Sequence, residues 1–350
     1  MITFENRIVQ EDLKGIISAS YLNLEKLRGK TILITGVSGM LATYLAYTIY
    51  YLNIHENFQT KIIGTARNME KANAKFQNLS KEYFELIQHD VTEPLEYEGV
   101  IDYIIHAASN ASPKFISTDP VGIIKANTLG TMNLLELSRK KTIQNFLFLS
   151  TREIYGKSIK NSLTEQDYGG FDILSPRACY PESKRMAETL LESYAVQYKI
   201  PYTVARIAHS YGPGMEVNND GRIMSDLISN VVNSEDIILK SEGTAERAFC
   251  YLSDATTALL TILLNGDSGQ AYNVANEDEP IQIRELAQKL VTLLPEKGLK
   301  VKFDIPKSQS TAYSTDGRTV MDMSKIEKLG WQRVVTLDSG LKKTIESFEP

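Results

Sequence analysis

The 350-residue chain is 43% hydrophobic and 23% charged, with a formal net charge of −5 and two cysteines. That balance describes a globular protein with ample core and argues against nucleic acid as a partner. Cys179 and Cys250 cannot build a disulfide framework, and no apolar run reaches the about 18 residues that crossing a bilayer requires, so no membrane partner is expected.

The opening MITFENRIVQEDLKG has no basic stretch leading into an apolar one. This argues against a secretory signal and, with so few cysteines, for the cytoplasm. Residues 11–28 read as a helical lead-in. KTILITG (30–36) is an apolar run closed by glycine, the pattern of a buried strand, and MLATYLAYTIYYL follows with helical length. KIIGTA (61–66) gives a second strand, and FELIQHD (84–90), DYIIHAA (102–108) and NFLFLST (145–151) repeat the signal. Helical stretches lie between several of them, notably 121–141. Such alternation predicts an α/β fold, a Rossmann-type doubly wound parallel sheet. After PYTVARIAHS (201–210) the rhythm breaks into GPG, NNDG and SEG loops. The expected division is a lead-in at 1–28, a dinucleotide-binding domain at 29–207 and a smaller α+β substrate lobe at 208–350, partly interleaved.

The first strand runs into Gly36-Val37-Ser38-Gly39-Met40-Leu41-Ala42. Gly36 permits a tight turn, Gly39 lets backbone N–H groups approach a pyrophosphate, and the small Ala42 lets helix and sheet pack closely. Gly36, Ser38, Gly39, Met40 and Leu41 are therefore the candidate phosphate cradle. An NAD site usually ends its second strand in an acid that accepts from the ribose 2′-OH. Here that strand ends GTARN, without an acid and with Arg67 available for a 2′-phosphate, so NADP is favoured over NAD. Asp90, with Val91 beside it, suits an adenine contact.

YPESK places Tyr180 and Lys184 at i and i+4 on one helix face. A lysine ammonium there is expected to favour phenolate, lowering the tyrosine from its usual pKa of about 10. Such a tyrosine can take the proton of a sugar hydroxyl while hydride leaves the same carbon. Alone the pair is common surface-helix chemistry. The glycine turn upstream and the strand-end hydroxyl of Thr151 make a catalytic reading the better one.

At these motifs the chain resembles the extended short-chain dehydrogenase/reductases that act on nucleotide sugars, the NAD(P)-dependent epimerase/dehydratase family. The marks are TGVSGMLA, HAASNASP (106–113), KANTLGT (125–131), LSTREIYG (149–156), YPESK, RIAHSYGPG (206–214) and RAFCYLSDA (247–255), and the likeness runs to KIEKLGW (325–331). ASNASP, NTLGTMNLL and PRACYPESKRMAET look most like the UDP-glucuronate decarboxylases. The resemblance implies a nucleoside-diphosphate sugar as substrate, a Thr151–Tyr180–Lys184 triad and transient oxidation at sugar C4. It also implies Ala107, Ala108 and Ser109 at the cofactor, and Ser112 at the substrate. Asn127 would help position the lysine, Arg222 and Arg247 would hold the diphosphate or nearby sugar, and a homodimer would form through the tyrosine-bearing helix.

In that family dehydratases and decarboxylases show Thr-x-Glu where 4-epimerases lack the acid, and here Thr151-Arg152-Glu153 keeps it. A C4 ketone acidifies the C5 hydrogen, which Glu153 could remove before a C6 hydroxyl leaves, or the ketone could drive loss of a C6 carboxylate. Hexose dehydratases place an aspartic acid where Arg152 stands, and arginine cannot protonate a leaving hydroxyl. Arg152, with Arg177 as a second candidate, could instead pair with a substrate carboxylate, or either could be a solvated arginine. His209 stands where relatives carry an asparagine near the phosphates; a satisfied core histidine is expected over a substrate contact. His106 is expected to be structural, and His55 and His89 show no metal spacing, so no metal is expected. The leading expectation is a 4,6-dehydratase or hexuronate decarboxylase. The alternatives are a 4-epimerase, an NADPH-dependent keto-sugar reductase and, more remotely, a non-enzymatic nicotinamide sensor.

Overall fold

Seven strands make one sheet in the computed structural model, which describes residues 2–158, 160–217, 220–305 and 318–349. They are β1 (Thr31–Thr35), β2 (Lys61–Ala66), β3 (Phe84–Gln88), β4 (Tyr103–His106), β5 (Asn145–Thr151), β6 (Tyr202–Ile207) and β7 (Gln270–Val274). The order is β7-β6-β5-β4-β1-β2-β3, and every pairing is parallel. All seven residues of β5 and all four of β4 are buried, because helices cover both faces. That is why these strands read as unbroken apolar runs.

Alternate side chains of a strand feed opposite faces. Ile32 and Ile34 of β1 enter a core with α1 (Arg7–Ile17) and α2 (Met40–Glu56), while Leu33 enters another. On that second face lie Leu134 of α4 (Pro120–Arg139) and Leu191 of α5 (Cys179–Tyr198), in chain order after α3 (Met69–Phe76). Residues Ala42 to Asn53 of α2 are buried without interruption, so this helix is apolar all round. It is sandwiched between the sheet, α1 and a later helix, α7 (Leu252–Asn265), which follows α6 (Ile223–Val232).

The helical lead-in consists of two pieces. Asn6 caps α1 by accepting from Ile8 N and Val9 N, so the helix starts at Arg7, and it ends at Ile17 before a short 3₁₀ turn at Leu24–Leu27. Asp12 of α1 is fully buried and accepts from the hydroxyls of Tyr44 and Tyr251 and from Lys343, tying the lead-in to three distant segments.

Beyond residue 207 a second core gathers Met224 and Leu227 of α6, Ile283 and Leu286 of α8 (Ile283–Leu293), and Leu341 of the helix Leu337–Glu346. Strand β7 returns to the large sheet beside β6, and α7 packs on that sheet. Of the expected NNDG loop, residues 218 and 219 lie outside the described residues. Strand order reverses between β1 and β4, which opens a crevice at their C-terminal ends. There Thr35 Oγ1 and His106 Nδ1 lie 2.8 Å apart and join the two strand ends.

Candidate active site

Gly36 has φ of 62°, in the left-handed region, and a Cβ there would lie 2.7 Å from Ala108 Cα. Only glycine lets the turn pass this close to Ala107 and Ala108 after β4. Gly39 precedes α2 with no side chain capping the helix, so the N–H groups of its first turn, at Met40 and Leu41, are left for an anion. Ser109 Oγ is buried without a partner among the described residues. A cradle that a Cβ would fill, an uncapped helix start and an orphaned hydroxyl fit a dinucleotide at the crevice.

Ser38 contributes its carbonyl oxygen, which accepts from Lys75 Nζ at 2.9 Å, and the same ammonium lies 3.2 Å from Thr43 Oγ1. Burial pulls Lys75 down to about 8. Its place under the turn had no signal in the sequence. At the ends of β2 and β3, Arg67 lies 3.6 Å from Asp90, whose carboxylate also accepts from Thr92 N and Oγ1. Val91 is buried against Gly130 of α4 and gives its carbonyl to Asn133.

Across the switch point, β5 ends at Thr151 and runs straight into a 3₁₀ turn, Arg152–Tyr155, whose Glu153 N donates to Thr151 Oγ1 at 3.2 Å. Tyr180 and Lys184 stand on the first turns of α5, both buried, and the Thr151 hydroxyl is near enough to Tyr180 to oppose the rise of its pKa. Lys184 Nζ donates to Leu149 O at 2.7 Å and lies 4.5 Å above the Phe148 ring. The expected lowering of the tyrosine by the lysine is not what the protein produces. Burial raises Tyr180 to about 12 and the Glu153 charge adds to it, with the Thr151 bond, Arg177 and Arg222 opposing. Lys184 is itself pulled down to about 7 by burial, and its ammonium is turned to a backbone carbonyl. Desolvation outweighs the cation here. Asn127 is buried on α4; its Nδ2 donates to Ser183 Oγ at 2.9 Å, next to Lys184 in the chain, and its Oδ1 has no partner among the described residues.

The segments after β5 and β6 line a cleft of about 500 Å³ that includes Arg152, Lys157, His209, Arg247, Glu277 and Arg318. Glu153 is gripped by Arg177 at 2.7 Å, so the second arginine offered for a substrate carboxylate is already engaged. Arg152 Nη1 lies 3.2 Å from His209 Nε2. His209 is not the satisfied core histidine expected: it is exposed to the cleft with φ of 39°. Although the ring faces open space, the protein packed around it desolvates it, and with Arg152 and Arg247 this holds its pKa well below the usual value. Arg247 is half-buried and donates to the carbonyl of Glu246 at 2.8 Å. Arg222 pairs with Asp220, whose carbonyl accepts from Ser112 Oγ at 2.7 Å. Arg318, which the sequence analysis did not single out, pairs with Glu277 and with Glu246. Only the fold brings it here, from more than sixty positions beyond the Arg247 motif. His106 is buried and kept neutral by burial and by the Lys184 charge. Among the described residues no cluster of His, Cys, Asp and Glu could hold a metal, and no helix is long and apolar enough to cross a membrane.

Comparison with known proteins agrees with this layout. The NAD dependent epimerase/dehydratase family matches residues 32–275. UDP-glucuronic acid decarboxylase 1 of Xenopus tropicalis is 36% identical over 326 residues, covering 91% of this chain and 72% of that protein. UDP-glucuronic acid decarboxylase 6 of Arabidopsis thaliana is 35% identical over 324 residues, covering 91% of this chain and 88% of that protein. Among solved structures, dTDP-glucose 4,6-dehydratase from Streptomyces venezuelae with NAD and TYD bound superposes with a TM-score of 0.76 at 20% identity, covering 91% of this chain and 96% of that one. UDP-glucose 4-epimerase from Thermotoga maritima with UDP-glucose gives a TM-score of 0.74 at 23% identity, covering 91% and 98%. At such identities the structures speak for the fold, while the matched family and the curated relatives carry the assignment. The chain belongs to the NAD dependent epimerase/dehydratase family.

Proposed function

We propose that the protein is a nucleotide-sugar lyase that oxidises sugar C4 and, at the 4-ketone stage, loses a C6 carboxylate. The observation that carries this reading is the turn Thr151–Arg152–Glu153, which brings a hydroxyl and a carboxylate to Tyr180 and turns its guanidinium towards His209 in the adjoining cleft. Tyr180 takes the proton of the C4 hydroxyl, Thr151 holds O4 by a hydrogen bond, and Lys184 supplies positive charge near the nascent phenolate. A nicotinamide dinucleotide held at the Gly36 turn, the start of α2 and Ser109 would supply a reversible hydride acceptor for C4, which would leave the overall reaction redox-neutral. Glu153, steadied by Arg177, exchanges a proton with C5. Dehydration would need an acid to protonate a leaving C6 hydroxyl. Among the described residues lining the cleft the carboxylates are Glu246 and Glu277, both paired with Arg318, and arginine cannot serve. Loss of carbon dioxide needs no such acid.

Mass spectrometry of the products from UDP-glucuronate and UDP-glucose tests the reading: loss of carbon dioxide supports it, and loss of water from the neutral hexose overturns it. Glu153→Gln is expected to leave C4 oxidation visible as transient nicotinamide absorbance while final product falls by about 10²-fold or more. Full activity in that variant would exclude the lyase role of Glu153.

The reading extends to cofactor, assembly and setting. β2 ends without an acid, and Arg67 is 60% exposed with only a 3.6 Å contact to Asp90, which supports a preference for NADP. Arg67→Ala should bring the NADP and NAD dissociation constants, measured by calorimetry, to within about threefold of each other. The exposed Val121, Ile124, Leu129 and Met132 of α4 and Met186 and Val196 of α5 support a homodimer through these two helices. Residues 29–207 with the lead-in would carry the cofactor and 208–350 most of the sugar nucleotide, with β7 linking the two. Cys179 and Cys250 are free thiols, in keeping with the cytoplasm.

A further inference from the structure

The arginines of the substrate cleft fall into two groups. Arg177 is gripped by Glu153, Arg222 by Asp220, and Arg318 by Glu277 and Glu246. Arg152 and Arg247, by contrast, have no carboxylate within ion-pair reach among the described residues. Arg152 meets His209 Nε2 at 3.2 Å, and Arg247 meets the Glu246 carbonyl at 2.8 Å. These two guanidiniums sense each other: after burial, the charge of Arg152 is what lowers the pKa of Arg247. Like charges left without counterions in one cleft are unfavourable unless an anionic ligand completes them.

His209 carries the other half of the device. Its left-handed backbone costs energy in a residue with a side chain. That backbone is held by Cys250 N donating to its carbonyl at 3.2 Å, and its ring lies 5.9 Å from Phe249. A neutral ring presents a lone pair to Arg152 and braces it; a charged ring would repel it.

We propose that Arg152, braced by His209, is a specificity-determining residue that holds a carboxylate at C6 of the sugar, making the substrate a nucleoside-diphosphate hexuronate. This rests on the lyase reading above. Arg152 directly follows the strand-end Thr151 in the turn after β5, and its guanidinium faces the cleft beside His209 and Arg247. In a hexose the diphosphate hangs from C1, across the ring from C4, whereas C6 is joined through C5, the neighbour of C4. The anion beside Arg152 is therefore the C6 group, and Arg247 is left for the diphosphate. Once C4 is a ketone, the C6 carboxylate belongs to a β-keto acid. The C5–C6 bond breaks, its electron pair passes into the C5–C4–O4 enolate, carbon dioxide leaves and C5 gains a proton. No oxidant beyond the reversible C4 step is consumed. Arg152 orients the carboxylate, and His209 is a positioning residue.

The test is calorimetric titration of the full chain, saturated with NADPH so that C4 is not oxidised during the titration, with UDP-glucuronate and UDP-glucose, and with the same acid and neutral pair on other nucleotides. The wild type should prefer the uronate. Arg152→Gln should weaken uronate binding about 10- to 100-fold and leave the neutral hexose unchanged. Arg152→Lys, which keeps the charge without the fork, should fall between and covers the case of a misfolded glutamine variant. His209→Asn, whose side chain tolerates the left-handed backbone, should raise KM for the uronate with kcat preserved. Equal weakening of both sugars by Arg152→Gln, or no weakening, overturns the assignment even if the wild type decarboxylates. A wild type that binds neither sugar on any nucleotide overturns the lyase reading itself.

Discussion

The cofactor crevice and the substrate cleft lie at the same edge of one sheet but are built on different principles. At the crevice the backbone does the work: Gly36 touches Ala108, α2 starts uncapped, and Lys75 is spent on the turn's own carbonyl. In the cleft side chains do the work, with arginines, acids and His209 held in pairs on short turns. A backbone cradle tolerates almost no change. A set of ion pairs can be re-sorted by single substitutions, which is how one fold hosts many reactions.

Three experiments break or sharpen this contrast. The largest effect is expected at Tyr180, where the two halves meet. Tyr180→Phe should lower turnover about 10²- to 10⁴-fold, measured by steady-state kinetics, while cofactor affinity stays within about twofold. A matching loss of cofactor binding would mean that the tyrosine belongs to the crevice. Gly36→Ala should do the reverse. Its left-handed φ and a Cβ 2.7 Å from backbone are expected to cost on the order of 1–3 kcal/mol, or about 10- to 100-fold in cofactor affinity by calorimetry. Unchanged affinity would refute a backbone-built crevice.

The third acts on stability rather than on either site. Asp254 on α7 is buried, accepts from Val334 N and Val335 N, and is raised from 3.8 to about 6, by burial first. The folded state therefore binds this proton more tightly than the unfolded one, so stability falls as pH rises from 3.8 through about 6. Asp254→Asn keeps an acceptor but cannot titrate. Urea melts should show the wild type losing up to about 3 kcal/mol relative to this variant across that range, in step with the pKa change. A difference independent of pH would mean the carboxylate is already relieved.

Much of this was legible along the chain, for physical reasons that differ from residue to residue. Strands β1 and β5 are covered on both faces, so they appear as apolar runs with no partner needed to recognise them. Thr151, Tyr180 and Lys184 follow from a strand end and an i, i+4 helix pair, whereas Glu153 stood out only through the family resemblance. How the lead-in is anchored is not legible, because Asp12 is fixed by Tyr44, Tyr251 and Lys343 from far along the chain. The direction of the Tyr180 shift was misjudged because adjacency to a lysine was visible and burial was not.

By itself the sequence determined the sheet, the glycine turn, the strand-end hydroxyl with its tyrosine–lysine helix pair, and the absence of an acid at Arg152, because each is set by neighbours a few positions away. Only the tertiary structure decided which charges are spent and which remain free. Arg177 meets Glu153, Arg318 meets Glu246 and Glu277, and Arg152 meets His209. Such pairings depend on distance and desolvation in three dimensions, which no spacing along the chain encodes.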